Sequence, residues 1–379
     1  MSWLTGGRQG EAKRLIVQLT DATKRDRVVQ DLIRLDADAV PVLIEALQTR
    51  DQNLLPLYQQ VLARIPSATP ALIKTLHEAH PLIRARVADV LGIRRDGVAV
   101  PALLDALKGE YYTVRAHSAV ALGRIGDRQA VDPLLLALKD PEHEVRGAAC
   151  LGLSFFKDPS TFDDIANILL DDPKIEVRQA AAKALGNTGL PAALPYLMEA
   201  LRDPYWWYER EHAAGELLGA IEKMGDTAVE PLIEALRDKE GAVRRFAASL
   251  LGRLGDPRAI DPLSMALYDM HHDVGEASAE ALVNFGVTSF DVLVEALNHP
   301  EMWIRIHSII ALSKIKDPRV AVVLLEMLND PEREVKKQVI HALGDLGDRR
   351  ALPALQEIAS NRNDRELHAL AKTALVRMK

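Results

Sequence analysis

The sequence has one cysteine, Cys150, in 379 residues. A single thiol excludes an internal disulfide framework and any zinc site built from several cysteines of the chain. Aromatic residues are also scarce, at 4%, which favours helices packed closely through Ala and Leu over a core of large rings. Cations are not in excess: 47 Lys and Arg stand against 54 Asp and Glu, a formal net charge of -7. A nucleic-acid binder ordinarily displaces counterions from phosphates with a basic stripe. Here Lys and Arg are scattered among acids, so no nucleic-acid partner is expected. No stretch approaches the ~20 apolar residues that span a bilayer. Residues 1–30 interleave Arg8, Glu11, Lys13, Arg14 and Asp21 with short apolar runs, unlike a secretory leader. The expectations are no membrane insertion and a cytoplasmic location.

Repetition is what the sequence has in quantity. Residues 131–138 read Val-Asp-Pro-Leu-Leu-Leu-Ala-Leu, residues 229–236 Val-Glu-Pro-Leu-Ile-Glu-Ala-Leu, and residues 260–267 Ile-Asp-Pro-Leu-Ser-Met-Ala-Leu. Apolar residues recur at i, i+3, i+4 and i+7, the stripe of a helix buried on one side, and the Pro falls near the first turn, where its missing N–H does no harm. The end of this helix A falls at Leu47, Leu76, Leu107, Leu138, Leu170, Leu201, Leu236, Leu267, Leu297, Leu328 and Ala359. The steps are 29 to 32 residues, except for 35 between Leu201 and Leu236. That makes eleven units. A degenerate twelfth, read in residues 8–36, makes residues 1–36 an N-terminal capping repeat ahead of a solenoid over residues 37–379.

A helix B follows each helix A. Val243, Phe246, Ala247, Leu250 and Leu251 share one face, and Val177, Ala180, Ala181, Ala184 and Leu185 repeat the pattern with smaller side chains. Asp-Pro pairs at 140, 172, 203 and 330 mark the A-to-B turn; Gly-Asp pairs at 126, 225, 255 and 347 mark the B-to-A turn. Gly ends a helix in the left-handed conformation and Asp caps the next. Two helices of roughly 12 residues cannot bury their apolar faces alone, so the units must stack.

A Val-Arg pair opens helix B, with an Asp six positions before the Arg: Asp140/Arg146, Asp172/Arg178 and Asp238/Arg244, with Asp330/Lys336 as a variant. This pattern resembles the HEAT-repeat family and its phycobilisome-lyase-like subfamily over about residues 37–379. The resemblance implies an all-α fold, a right-handed α-α superhelix of about eleven to twelve two-helix repeats, armadillo-like in plan. It leaves function open, because the same repeat serves many unrelated tasks.

No phosphate-cradling Gly loop or nucleophile elbow is present. The Asp and Arg ladder recurs in unit after unit, whereas a catalytic group is needed once, so it reads as structural. His117, His212 and His307 each sit three residues after the position that opens helix B. HEAT-like iron hydroxylases use His-Glu pairs on helix B, but here the following residues are Ser118, Ala213 and Ser308. Helices pack ~8–10 Å apart, so histidines three units apart stand roughly 30 Å from one another. Glu211-His212 reverses the order, and the adjacent His271 and His272 point to different faces of a helix. No metal centre and no cofactor are expected.

The aromatic residues give the functional signal. Most units carry solvated charges just before helix B, such as Glu142-His143-Glu144 and Glu332-Arg333-Glu334. Residues 203–210 instead read Asp-Pro-Tyr-Trp-Trp-Tyr-Glu-Arg, just ahead of the extra length of the long unit. Tyr111-Tyr112, His271-His272 and Met302-Trp303 depart from charge at the same place. With units stacked in register these positions line one edge of the helix-B surface. An exposed apolar ridge on a folded protein is normally a contact site. The alternative is that the aromatics fill gaps beside the long unit. The candidate binding set is therefore Tyr111, Tyr112, Tyr205, Trp206, Trp207, Tyr208, Arg210, His212, His271, His272, Met302 and Trp303. The expected function is a non-enzymatic scaffold holding a protein partner on its concave helix-B face and this ridge. The subfamily resemblance implies an alternative: a bilin lyase or lyase-isomerase subunit acting on phycobiliproteins, with a linear tetrapyrrole among the aromatics and its propionates near Arg210 and His212. Cys150, set among small residues of a helix B, reads as packing.

Overall fold

The computed structural model describes residues 2–208, 214–361 and 363–378. Among them the regular structure is α-helix and short 3₁₀ turns, with no strand. The chain forms two compact units, Met1–Lys223 and Met224–Lys379; the division falls inside the long 35-residue repeat.

In the first unit, helices Ser2–Gln18 and Arg25–Leu35 precede five A/B pairs: Val40–Ala46 with Leu54–Arg64, Ala68–Glu78 with Pro81–Arg94, Val100–Leu107 with Tyr112–Ile125, Val131–Ala137 with His143–Ser154, and Phe162–Asp171 with Ile175–Thr188. Helix Leu194–Arg202 then leads through a single turn, Tyr205–Tyr208, to helix Ala214–Glu222. The second unit has five pairs: Asp226–Ala235 with Gly241–Leu254, Ile260–Ala266 with His272–Val283, Phe290–Ala296 with Met302–Lys314, Val320–Glu326 with Arg333–Leu346, and Leu352–Ser360 with Arg365–Arg377. No described helix is long and apolar enough to cross a membrane.

Helix A is shorter than the periodicity predicts, commonly because a 3₁₀ turn precedes it. Gly126, Gly255 and Gly347 take positive φ of 80°, 66° and 66° and end helix B. The carboxylates of Asp127, Asp256 and Asp348 then accept the backbone N–H two residues on, capping 3₁₀ turns Arg128–Ala130, Pro257–Ala259 and Arg349–Ala351 rather than the α-helix itself. Each such turn fixes the angle at which helix A enters.

The apolar stripes face inward. Val243, Ala247, Leu250 and Leu251 are fully buried and Phe246 nearly so. Successive B helices approach closely where small residues meet: a Cβ added to Gly252 would stand 2.6 Å from the Ala281 Cα of the next helix B, and one on Gly186 2.7 Å from the Ala220 Cα. Only glycine allows those backbones to come so near.

Ion pairs bind unit to unit. Each ladder arginine reaches forward to the aspartate of the next A-to-B turn: Arg115 to Asp140, Arg146 to Asp172, Arg178 to Asp203, Arg244 to Asp269 and Arg305 to Asp330, at 2.6–2.8 Å. Most of these contacts are bidentate, and a further guanidinium N–H donates to main-chain carbonyls of the arginine's own turn, as Arg146 does to Asp140 and Pro141 at 3.0 and 3.1 Å. The same carboxylate also accepts the N–H two residues on, for example Lys174 on Asp172 Oδ1 at 2.9 Å. One carboxylate thus shapes its own turn and anchors the preceding unit.

Candidate functional site

The ladder ion pair is missing between helices His272–Val283 and Met302–Lys314. Aligning Val243, Val274 and Ile304 puts Gly275 where neighbouring repeats carry Arg244 and Arg305. It also puts His299 where they carry Asp269 and Asp330. Both members of that rung are changed together. His299 keeps the turn by accepting the Glu301 N–H on Nδ1 at 3.1 Å, but no guanidinium crosses from residue 275. A pocket of about 390 Å³ opens at this rung, bordered by Tyr268, Met270, His272, Gly275, His299 and Trp303.

The rim of the pocket is apolar and exposed. Met270, standing where other turns have Pro, is 90% exposed; Trp303 is 50% and Tyr268 40% exposed. Their rings hold one another in place: Tyr268 lies 5.2 Å from His299, and Trp303 meets His272 edge-on at 5.0 Å. Behind them, His272 also packs at 74° against His307, with Nε2 atoms 3.2 Å apart. His307 is 5% exposed, and its Nδ1 is buried without a hydrogen-bond partner among the described residues. Burial first, then the neighbouring His272, lowers the His307 pKa to about 4, which keeps the ring neutral at pH 7.

The sequence-predicted residues separate into groups. His272, Met302 and Trp303 come together at the openings of two adjacent B helices, with His272 and Trp303 exposed and Met302 half-buried. His271 is beside them but belongs to the ladder: Arg244 donates to its Nδ1 at 2.9 Å, and its own N–H goes to Asp269 at 2.8 Å. Tyr111 and Tyr112 are exposed at the opening of helix Tyr112–Ile125, apart from Tyr205, because the two intervening helix openings carry Glu142–Glu144 and Lys174.

The 205–208 window departs most from expectation. Trp206 is 0% exposed, which removes it from any surface ridge and makes it core. Tyr205 is half-buried beneath the Arg178 guanidinium, 4.1 Å from the ring centre. Trp207 and Tyr208 lie on the same helical turn; Arg210 and His212 fall outside the described residues. Cys150 is fully buried, and burial pushes its thiol pKa up, so it is not an attachment point. His117 is bound by Asp89 at 2.8 Å, which Gln59 also reaches at 3.2 Å, a polar link between neighbouring B helices.

Sequence reasoning missed Tyr268, Met270, Gly275, Glu276 and His299. The signal was available: Gly at the ladder-arginine position and His at the ladder-aspartate position are both readable from the alignment of repeats.

The helix pairs, the glycine contacts between B helices and the forward-reaching ladder define an α-solenoid of two-helix repeats. The profile for HEAT repeats matches overlapping segments at residues 40–123, 69–143, 100–174, 131–218, 207–283, 265–334 and 290–376. The chain belongs to the HEAT-repeat family. Among solved structures, Kap121p bound to Pho4p is 13% identical, with a TM-score of 0.55 over 98% of this chain and 49% of that one. Importin beta is 13% identical, with a TM-score of 0.52 over 98% of this chain and 63% of that one. The chain spans about half the length of Kap121p, and these likenesses show the fold alone. The complex of CpcE and CpcF of phycocyanin lyase from Nostoc sp. PCC7120 is 23% identical over 59% of this chain and 91% of that one, with a TM-score of 0.34. No curated protein sequence matches the chain.

Proposed function

We propose that the protein is a non-enzymatic interaction scaffold whose contact surface is the exposed rim around the missing rung, centred on Met270, Trp303 and Tyr268. One observation carries the reading: three large apolar side chains, 40–90% exposed, gather at one pocket of a HEAT-repeat unit. Exposed apolar side chains clustered beside a cavity are the usual anchor points of a protein interface. The partner fitted to this rim is a segment with an apolar side chain for the pocket and a cationic one beside it, since the exposed Glu301 also lines the pocket. The tetrapyrrole alternative places its pigment among the aromatics with its propionates near Arg210 and His212, which lie outside the described residues. With Trp206 in the core, no described feature favours it.

The test is capture from native lysate by wild type and by a Met270→Ser/Trp303→Ser variant, read by mass spectrometry and visible absorbance. Both side chains are exposed, so the variant is expected to melt with the wild type while losing a specific protein. Identical eluates overturn the placement of the contact surface. A pigment retained by both proteins overturns the scaffold reading in favour of bilin handling.

A further inference from the structure

We propose that His272, Glu276 and His307 form a binding site for a borderline divalent transition-metal ion, with Zn²⁺ as the reference case. One ligand atom from each of the three lies within 4.8 Å of the others. His272 and Glu276 are i and i+4 on helix His272–Val283, so both project from one face. His307 comes from the facing helix Met302–Lys314. The spacing of the two imidazoles fits an ion: their Nε2 atoms are 3.2 Å apart, and two nitrogens bound at about 2.0–2.1 Å to a tetrahedral Zn²⁺ stand about 3.3 Å apart. Two imidazoles and a carboxylate suit Zn²⁺, Co²⁺ or Ni²⁺, and disfavour Mg²⁺ and Ca²⁺, which take oxygen donors.

The surroundings hold the donors ready. The Trp303 edge packs on His272, and His307 is fixed by burial. Asp273 lies 3.6 Å from His272, adding negative charge, while Lys314 on the His307 helix is engaged by Glu280 at 3.6 Å. His272 and His307 also border the pocket left by the missing rung, which leaves an open side for water or a ligand group. Comparing His117, His212 and His307 three units apart hid this arrangement, because the pair that meets is in adjacent units. The site shares His272 and His307 with the rim pocket, and its test reads metal binding alone.

Tag-free, metal-stripped full-length protein titrated with ZnCl₂ by calorimetry is the direct test, with Co²⁺ absorbance as a second readout. Wild type is expected to bind one Zn²⁺ per chain and to give ligand-field bands with Co²⁺. His272→Ala and Glu276→Gln alter exposed side chains and are expected to fold as the wild type by circular dichroism. Each is expected to weaken Zn²⁺ at least about tenfold, since loss of even a group behind a metal ligand costs about 10–100-fold. His143→Ala, in the exposed Glu142-His143-Glu144 cluster, is expected to change nothing. No stoichiometric Zn²⁺ binding by the wild type, or unchanged binding in His272→Ala, overturns the proposal. Loss of partner capture without loss of Zn²⁺ binding bears only on the scaffold reading.

Discussion

Replacing Arg305 by Ala is expected to destabilise the second unit by about 3–5 kcal/mol, the usual cost of stranding one member of a buried ion pair. The Arg305 and Asp330 side chains are 8% and 3% exposed, and Nε and Nη2 meet the carboxylate at 2.8 and 3.0 Å. Nη1 also donates to the His299 and Pro300 carbonyls at 2.8 and 2.9 Å. The substitution leaves a buried carboxylate and two turn carbonyls without their donor. Arg305→Lys recovers only part, because an ammonium cannot reproduce the planar fork. Arg305→Met with Asp330→Asn is expected to be milder than Arg305→Ala alone: the uncompensated charge is gone, and the amide oxygen still accepts the Glu332 N–H, now at 2.8 Å to Asp330. Urea titration, with hydrogen exchange locating the change, measures this. A loss below about 1 kcal/mol in Arg305→Ala would remove the ladder from the account of stacking.

The same ladder sets a pH dependence. For Asp140, Asp172 and Asp269, burial alone would raise the pKa, but the arginine hydrogen bonds, the backbone N–H of the turn and the nearby guanidiniums together lower it. A carboxylate with a depressed folded pKa contributes stability above its unfolded value of about 3.9 and loses it as pH falls through the folded value. The stacked repeats are therefore expected to weaken from about pH 4 downward.

Trp206→Ala is the second large effect, expected to cost about 3–5 kcal/mol as a large-to-small core substitution. Trp206 is fully buried, and its indole N–H has no partner among the described residues. Trp206→Phe is expected to cost less than half as much, since it keeps most of the ring contact and removes a stranded donor. Capture of a rim partner is expected to survive Trp206→Phe. Wild-type stability in Trp206→Ala would mean that the side chain is not core.

Much of the fold was legible because helix periodicity, Asp-Pro and Gly-Asp turns recur in register, and each is a local property. The direction of the ladder was not. In sequence, Arg146 stands six residues after Asp140, yet its guanidinium takes Asp172 in the next unit and leaves Asp140 only a carbonyl contact. Side-chain reach decides between those two aspartates, and linear spacing does not encode it. The site was half legible. Position before helix B identified His272, Met302 and Trp303, but the same rule chose Trp206, whose depth depends on how the long repeat packs. The decisive feature, an absent arginine at Gly275 and an absent aspartate at His299, is readable from the aligned repeats, but that the two positions form one rung follows only once the ladder's forward partners are known.

The rim around the missing rung is proposed as a protein contact surface. Site-specific photo-crosslinking tests it most directly, with a photoreactive residue at position 303 or 270 and a control at Glu332, at the solvated opening of another helix B. One specific adduct, shared by positions 303 and 270 and absent at 332, is the expected result. Equal labelling at all three positions, or none at the rim, would contradict it.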